Sequence, residues 1–383
     1  MNLALSDEQV FLREAARGAL SRFKTIESAR EALDGNAPLP DLWPTAKEAG
    51  WPGLLIGESA GGAGLDAFDA MLVLGECGRV LAGVALLGHL PATAILNDSP
   101  GASKDLLEEL ATGERRAAYL PTSPPDDLSE EWTLDPAHGL WRLPALSAVN
   151  EGGDAQARVS GALSFVPDAP GADLLVGVAL LNGQPTGVAI DTSASGISIE
   201  AVQSYDATRS LGHITLKDAP ATVLDTPTES LADAWHLAQA LIAAESLGSV
   251  ETALDVSVAY AKERHTFGRA IGSYQAVKHS LTEVLRQLEN GRSLLYYAGW
   301  SRHGAPGEFP LAASAARSVA GRALDQAART MISVHGGIGA TWEHDAPLYF
   351  RRAQLSRRLL GGTAGATDRV AGELITQASQ QRP

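Results

Sequence analysis

The feature that most constrains this chain is a change of pattern along it: helical periodicity, then short strands, then helical periodicity again. From Leu231 to Arg264 apolar residues recur at i, i+3 and i+4 in one long segment, and Tyr274 to about Trp300 and Pro310 to about Val334 repeat the pattern. Successive Ala-rich helices of this length predict a helical bundle. The first zone, residues 1 to about 112, also reads as helical. Ser6-Asp7-Glu8-Gln9 is a capping box, with Val10, Phe11, Leu12 and Ala15 on the face behind it. Asp66 to Gly83 is an apolar helix preceded by a turn at Gly61-Gly62-Ala63-Gly64.

Between about 113 and 224 Pro, Gly and Asp punctuate short runs of β-branched and other apolar residues. Ala172–Leu181, Gly187–Ile190, Ile197–Val202 and His213–Leu216 are expected strands, and 121–131 an expected loop. The spacing suits a small antiparallel barrel or sandwich. The expected fold class is therefore α+β multidomain: an N-terminal helical domain (1–112), a central β domain (113–224) and a C-terminal helical bundle (225–383).

Hydrophobic residues at 45% and charged residues at 20% are globular values. A net charge of −15 argues against nucleic acid or an anionic membrane surface as partner. No run of about 18 apolar residues predicts a membrane span. The N-terminus has no signal-peptide pattern, and the single Cys77 cannot form an internal disulfide, so a cytoplasmic location is expected. No metal-ligand cluster is visible.

The chemistry-bearing motifs lie in the last third. Arg264-His265-Thr266-Phe267-Gly268 follows the long helix, and Gln275 comes shortly after it. Further on stands His335-Gly336-Gly337-Ile338-Gly339-Ala340-Thr341-Trp342-Glu343-His344-Asp345. A guanidinium holds a pyrophosphate bidentately. Glycines let backbone N–H groups approach phosphate oxygens, and an aromatic ring packs on a flat heterocycle. Either motif alone is ambiguous; the pair, in this order after this three-zone layout, is far more specific.

On these motifs, together with Gly61-Gly62-Ala63-Gly64-Leu65, the chain resembles the acyl-CoA dehydrogenase family over nearly its whole length. Asp206-Ala207-Thr208-Arg209 and Phe165-Val166-Pro167-Asp168 look like the actinobacterial branch that includes enzymes of steroid side chains. The resemblance implies FAD as cofactor, an acyl-CoA substrate, tetramers, and an electron-transfer flavoprotein as acceptor. It assigns the FAD pyrophosphate and adenosine of a neighbouring chain to Arg264, Thr266, Phe267 and Gln275, and to Gly336, Gly337 and Gly339. Ser333 stands where the family commonly has Gln. In the middle domain the flavin-side loop falls near Tyr119–Pro124, and Phe165 takes the place of an aromatic set against the flavin, or else fills core. Pro167 stands where the family often has a flavin-bonding Thr.

Dehydrogenation also needs a carboxylate to remove the α-proton. The resemblance places that Glu at one of two positions, occupied here by Gly361 and Ala238. Glu245 is a weak substitute, about two helical turns (~10 Å) along the axis from Ala238. Its plainer reading is a buried acid paired with an arginine. Glu343 suits a structural or cofactor-side role, and His236 a partly buried helix histidine. Some members of this branch work as heterotetramers in which one chain carries the base and the other completes the flavin site. That division is the expectation here, ahead of a homomeric enzyme with a displaced base or a non-catalytic binding relative.

Overall fold

The computed structural model describes residues 4–33, 39–121, 146–151 and 155–380. The first helices are α1 (Asp7–Leu20), α2 (Thr25–Leu33), α3 (Trp43–Glu48), α4 (Ala67–Arg79), α5 (Leu86–Asn97) and α6 (Lys104–Thr112). Ser6 caps α1 and Gln9 returns the bond, so the expected box forms. A second box, Asp66 with Asp69, starts α4. That helix stops at Arg79, short of the expected Gly83, and Leu81 adopts a left-handed φ of 52° just beyond it.

The strands are β1 (Ala117–Leu120), β2 (Ser147–Asn150), β3 (Gln156–Pro167), β4 (Leu174–Leu181), β5 (Gln184–Asp191), β6 (Ile197–Ala201) and β7 (Leu211–Leu224). β4, β2, β3, β7 and β5 pair in turn, and β5 pairs back to β4, which closes a barrel. β1 joins it in parallel through β4, and β6 through β7. Inside lie Val159, Leu163, Leu175, Val188, Ile190, Ile214 and Leu216. β3 bulges at Val159/Gly161 and again at Leu163/Val166 against β7, which re-aims side chains near its end. Of the expected loop 121–131, only residue 121 lies within the described residues.

The remainder comprises α7 (Thr228–Glu263), the hairpin β8 (His265–Thr266) and β9 (Arg269–Ala270), α8 (Gln275–Gly304), α9 (Phe309–His335), α10 (Ala346–Ser356) and α11 (Gly362–Gln380). α7, α8, α9 and α11 form the bundle, and α4 packs along α7. The α4–α7 crossing is close enough to demand glycine on both sides. A Cβ on Gly78 would lie 1.9 Å from the Glu245 carbonyl oxygen, and one on Gly248 would lie 1.9 Å from the Gly75 carbonyl oxygen. Ser249 Oγ donates to the Gly78 carbonyl at 2.7 Å across the same contact.

A buried ion network joins the central and C-terminal regions. Arg352 of α10 donates to Asp206 at 2.7 Å and to Glu245 at 2.8 Å, and Arg209 closes on the other Glu245 oxygen. Arg352 also bonds Thr208 through its carbonyl and hydroxyl oxygens. Burial alone would raise the Asp206 carboxyl, but the Arg352 guanidinium and the Thr208 hydroxyl hold it below the usual range. A second weld is Asp168, at the end of the bulged β3 stretch. Its carboxylate accepts the Gly88 N–H at 2.8 Å in the first turn of α5, whose own N-cap Ala85 has no side chain to do so.

Candidate functional site

α7 ends at Glu263, and the chain turns through a two-residue hairpin in which His265 pairs Ala270 and Thr266 pairs Arg269. Both turn residues have positive φ, 52° at Phe267 and 79° at Gly268, as a tight hairpin of this length requires. Glycine accepts this freely; phenylalanine does not. Phe267 is nonetheless held there with 94% of its surface in solvent. Tyr274 steadies the hairpin: its hydroxyl donates to the Thr266 carbonyl at 3.0 Å, and its ring lies under the Arg269 guanidinium. Arg264 and Thr266 are exposed on the hairpin, and Gln275 opens α8 beside it.

The glycine motif ends α9. Gly336 leaves the helix with a φ of 63°, and a short 3-10 turn runs to Ala340. Three glycines here have three different reasons. Gly339 is packed, since a Cβ would sit 2.7 Å from the Ile332 carbonyl oxygen. Gly336 needs its φ. Gly337 has neither constraint: its backbone is not left-handed, and a Cβ there would meet nothing within 4 Å. Nothing among the described residues calls for its bare backbone. Ser333 is exposed one turn earlier. Ile338 and Trp342 are about half exposed, and Glu343 is exposed. The Glu343 carboxyl is lowered chiefly by the Thr341 hydroxyl.

A column of rings joins the two motifs. Tyr260, near the end of α7, stacks on His335 at 4.3 Å between centroids, and His335 stacks on His344 at 4.1 Å. An exposed arginine, a glycine turn and exposed aromatics therefore share one region. They suit a pyrophosphate flanked by a planar heterocycle. A neighbouring stack places Arg351 between the rings of Tyr205 and Trp342. Neither ring column was read from the sequence, although His335 and His344 both stand in the glycine motif and Tyr260 four residues before Arg264.

Phe165 lies in the barrel domain on the second β3 bulge with a φ of 55°, its ring edge-on to His213 at 4.7 Å. It is partly buried and packs against the main core. Tyr119 is buried in β1; Thr122, Ser123 and Pro124 of the loop expected near the flavin lie outside the described residues.

One of the two base positions, Gly361, lies against an indole. A Cβ on Gly361 would lie 3.5 and 3.6 Å from Cζ2 and Cη2 of Trp235, which is buried in α7 one turn before the fully buried Ala238. The turn holding Gly361 is fixed. Gln239 donates to the Leu360 carbonyl at 2.9 Å, and the buried Arg317 donates to the carbonyls of Ser356 and Leu359. Leu360, Gly361 and Gly362 are all left-handed, so a glutamate at 361 would be strained. Glu245, the substitute weighed from the sequence, has one guanidinium on each carboxylate oxygen. It sits as a structural ion-pair acid rather than a free base. His236 is buried against Phe309, and burial pushes its pKa down to about 3. Among the described residues, no His/Cys/Asp/Glu group could hold a metal ion, and no helix is long and apolar enough to cross a membrane.

Comparison with known proteins yields two matching families. Residues 6–122 match the acyl-CoA dehydrogenase N-terminal domain, and residues 232–375 match the acyl-CoA dehydrogenase C-terminal domain. Acyl-CoA dehydrogenase FadE34 of Mycobacterium tuberculosis is 31% identical over 395 residues; the alignment spans all of this chain and 50% of that protein. Acyl-CoA dehydrogenase IpdE2 of Mycolicibacterium smegmatis is 29% identical, covering 97% of this chain and all of the relative. Among solved structures, a variant of the Tcur3481-Tcur3483 steroid ACAD superposes with a TM-score of 0.85 at 28% identity, covering 98% of this chain and 99% of that one. The ChsE4-ChsE5 complex from Mycobacterium tuberculosis gives 0.85 at 24% identity over the full length of both chains, a likeness of fold.

Proposed function

The chain belongs to the acyl-CoA dehydrogenase family, and on that premise we propose that it is the subunit of a heteromeric FAD-dependent enzyme that completes the flavin site while a partner chain supplies the base. The carrying observation is the pair of base positions. Gly361 and Ala238 have no carboxylate; the indole of Trp235 lies against Gly361, and Ala238 is fully buried. A proton acceptor must come within about 3 Å of the α-carbon's proton, and neither position offers one. Glu245 is a poor replacement because each of its oxygens already accepts from an arginine.

When bound, FAD supplies the acceptor for the hydride leaving the β-carbon. This chain's part is to hold that cofactor. Arg264 would fork onto the pyrophosphate, the turn at Gly336 and Gly337 would let the phosphates approach the backbone closely, and Thr266, Gln275 and Ser333 would add polar contacts at the rim. Phe267 enters the neighbouring chain's site as an apolar wedge, which gives its strained, solvent-facing conformation a purpose. Gly339 keeps the turn compact.

The substrate is an acyl-CoA thioester. A steroid-like or comparably bulky acyl group is favoured by the likeness to the steroid ACAD. Electrons then leave to an electron-transfer flavoprotein. The test is purification with and without a base-bearing acyl-CoA dehydrogenase subunit of the same organism, followed by the flavin-to-chain ratio. The chain alone is expected to be flavin-poor and the complex to hold FAD stoichiometrically. One FAD per chain in the homomer contradicts the assignment.

A further inference from the structure

The His335–His344 pair has a hydrogen-bond pattern that fixes both tautomers. His335 is buried, and its Nδ1 lies 2.7 Å from the Met331 carbonyl oxygen. A carbonyl only accepts, so that nitrogen carries a proton. His344 is the opposite case. Its Nδ1 accepts the Ala346 N–H at 3.0 Å, so that nitrogen must be bare. Ala346 is the first residue of α10, and its amide is one of the orphan donors of that helix; Asp345, at the N-cap, makes no side-chain cap bond. His344 supplies the cap instead. Protonating Nδ1 would break that bond and put a positive charge at a helix N-terminus, in a ring whose centroid lies 4.1 Å from that of a second imidazole.

We infer that His335 and His344 are positioning residues that keep the arginine and glycine motifs in register, and that they do so only while His344 is neutral. This rests on the reading that these motifs receive FAD. Tyr260 of α7 stacks on the far face of His335, so a shift of His335 is passed to the helix end that carries Arg264. On the other side, α10 carries Arg351 and the network arginine Arg352. The groups facing His344 are His335 from α9, Arg30 from α2, and Glu343 and Asp345 from its own loop. Burial and then His335 hold the His344 pKa below the ordinary value; Asp345 acts the other way, and Arg30, which pairs with Asp345, adds to the lowering. The cap from neutral His344 is thus intact at neutral pH and is lost as pH falls below the ordinary histidine value of ~6.5.

The experiment follows FAD binding to the partner-assembled complex from pH 8 to 5, beside hydrogen exchange of residues 336–350 in the chain without flavin. The wild type is expected to lose FAD affinity about tenfold across that range, with protection of the Ala346 amide falling in parallel. His344→Asn keeps an oxygen acceptor where Nδ1 stood and cannot titrate; it is expected to flatten both curves. His335→Gln removes the repelling ring and is expected to move the midpoint upward. A wild type with pH-independent binding and protection, or a His344→Asn variant that tracks the wild type, overturns the inference. If FAD binds at no pH while amide protection still follows His344, the pair acts as inferred and the flavin reading has failed instead.

Discussion

At the scale of single residues, site and scaffold behave differently. Arg264 is exposed and makes no ion pair among the described residues, so its removal should leave folding alone. Arg264→Ala is expected to weaken FAD binding to the complex ~10- to 100-fold with an unchanged melting temperature, and Arg264→Lys to recover only part, because a point charge cannot fork onto two phosphate oxygens. Isothermal titration and a thermal melt check both. Buried histidines set the acid limit of the fold. His89 accepts the Ala117 N–H and is pushed by burial to about 4, and His236 to about 3. Both native values are depressed, so stability is full above the unfolded value of ~6.5 and declines as pH falls through it, by up to ~1.4 kcal/mol per pH unit for each histidine until its native value is reached. Asp168, raised to about 6 by burial, offsets part of this, since its contribution is complete below the ordinary carboxyl range and lost as pH rises through 6. Urea titrations at pH 7 and pH 5 should show the net loss, and a His89→Asn variant should reduce the difference.

At the scale of elements, the α4–α7 crossing and the buried network carry the design. Gly248→Ala would drive a Cβ into the Gly75 carbonyl and is expected to cost about 3 kcal/mol, read as a lower denaturation midpoint. Removing Arg352 leaves Asp206 and half of Glu245 buried without their cation, so Arg352→Met is expected to cost about 3–5 kcal/mol. The same elements mark how far the sequence could be read. Periodicity located α7, α8 and α9 to within a few residues, and Ser6 with Gln9 located the start of α1. Two strands, β5 and β7, were read too short. β7 was expected over four residues, yet it runs from Leu211 to Leu224. Lys217, Asp218 and Pro220 look like a turn in one dimension, but Asp218 takes a φ of 48° at a bulge opposite β3 and the strand continues. β3 itself was hidden for the same reason, because two bulges break its alternation. Arg264, Phe267 and the glycines were legible because glycine, arginine and an exposed aromatic leave a mark in sequence. The Tyr260–His335–His344 column was not, since stacking joins residues that only the fold brings together. The same holds for Trp235, which reads as an ordinary helix aromatic until its distance from Gly361 is known.

At the scale of the whole molecule, the proposed division of labour sets a well-packed core beside a reaction centre without its own base. Its barrel is closed and its bundle packed, and the network through Glu245, Arg209, Asp206 and Arg352 ties the two together. The features without an internal reason, Phe267 in solvent and Gly337 bare, face outward. On the proposed reading, such a molecule is finished by another chain. The measurement that tests this most directly is anaerobic bleaching of the flavin by a bulky acyl-CoA, with the purified chain reconstituted with FAD on one side and its complex with a base-bearing subunit on the other. The account predicts that the complex bleaches within the mixing time of a stopped-flow experiment and that the chain alone does not bleach. Full and rapid bleaching of the chain alone would contradict it.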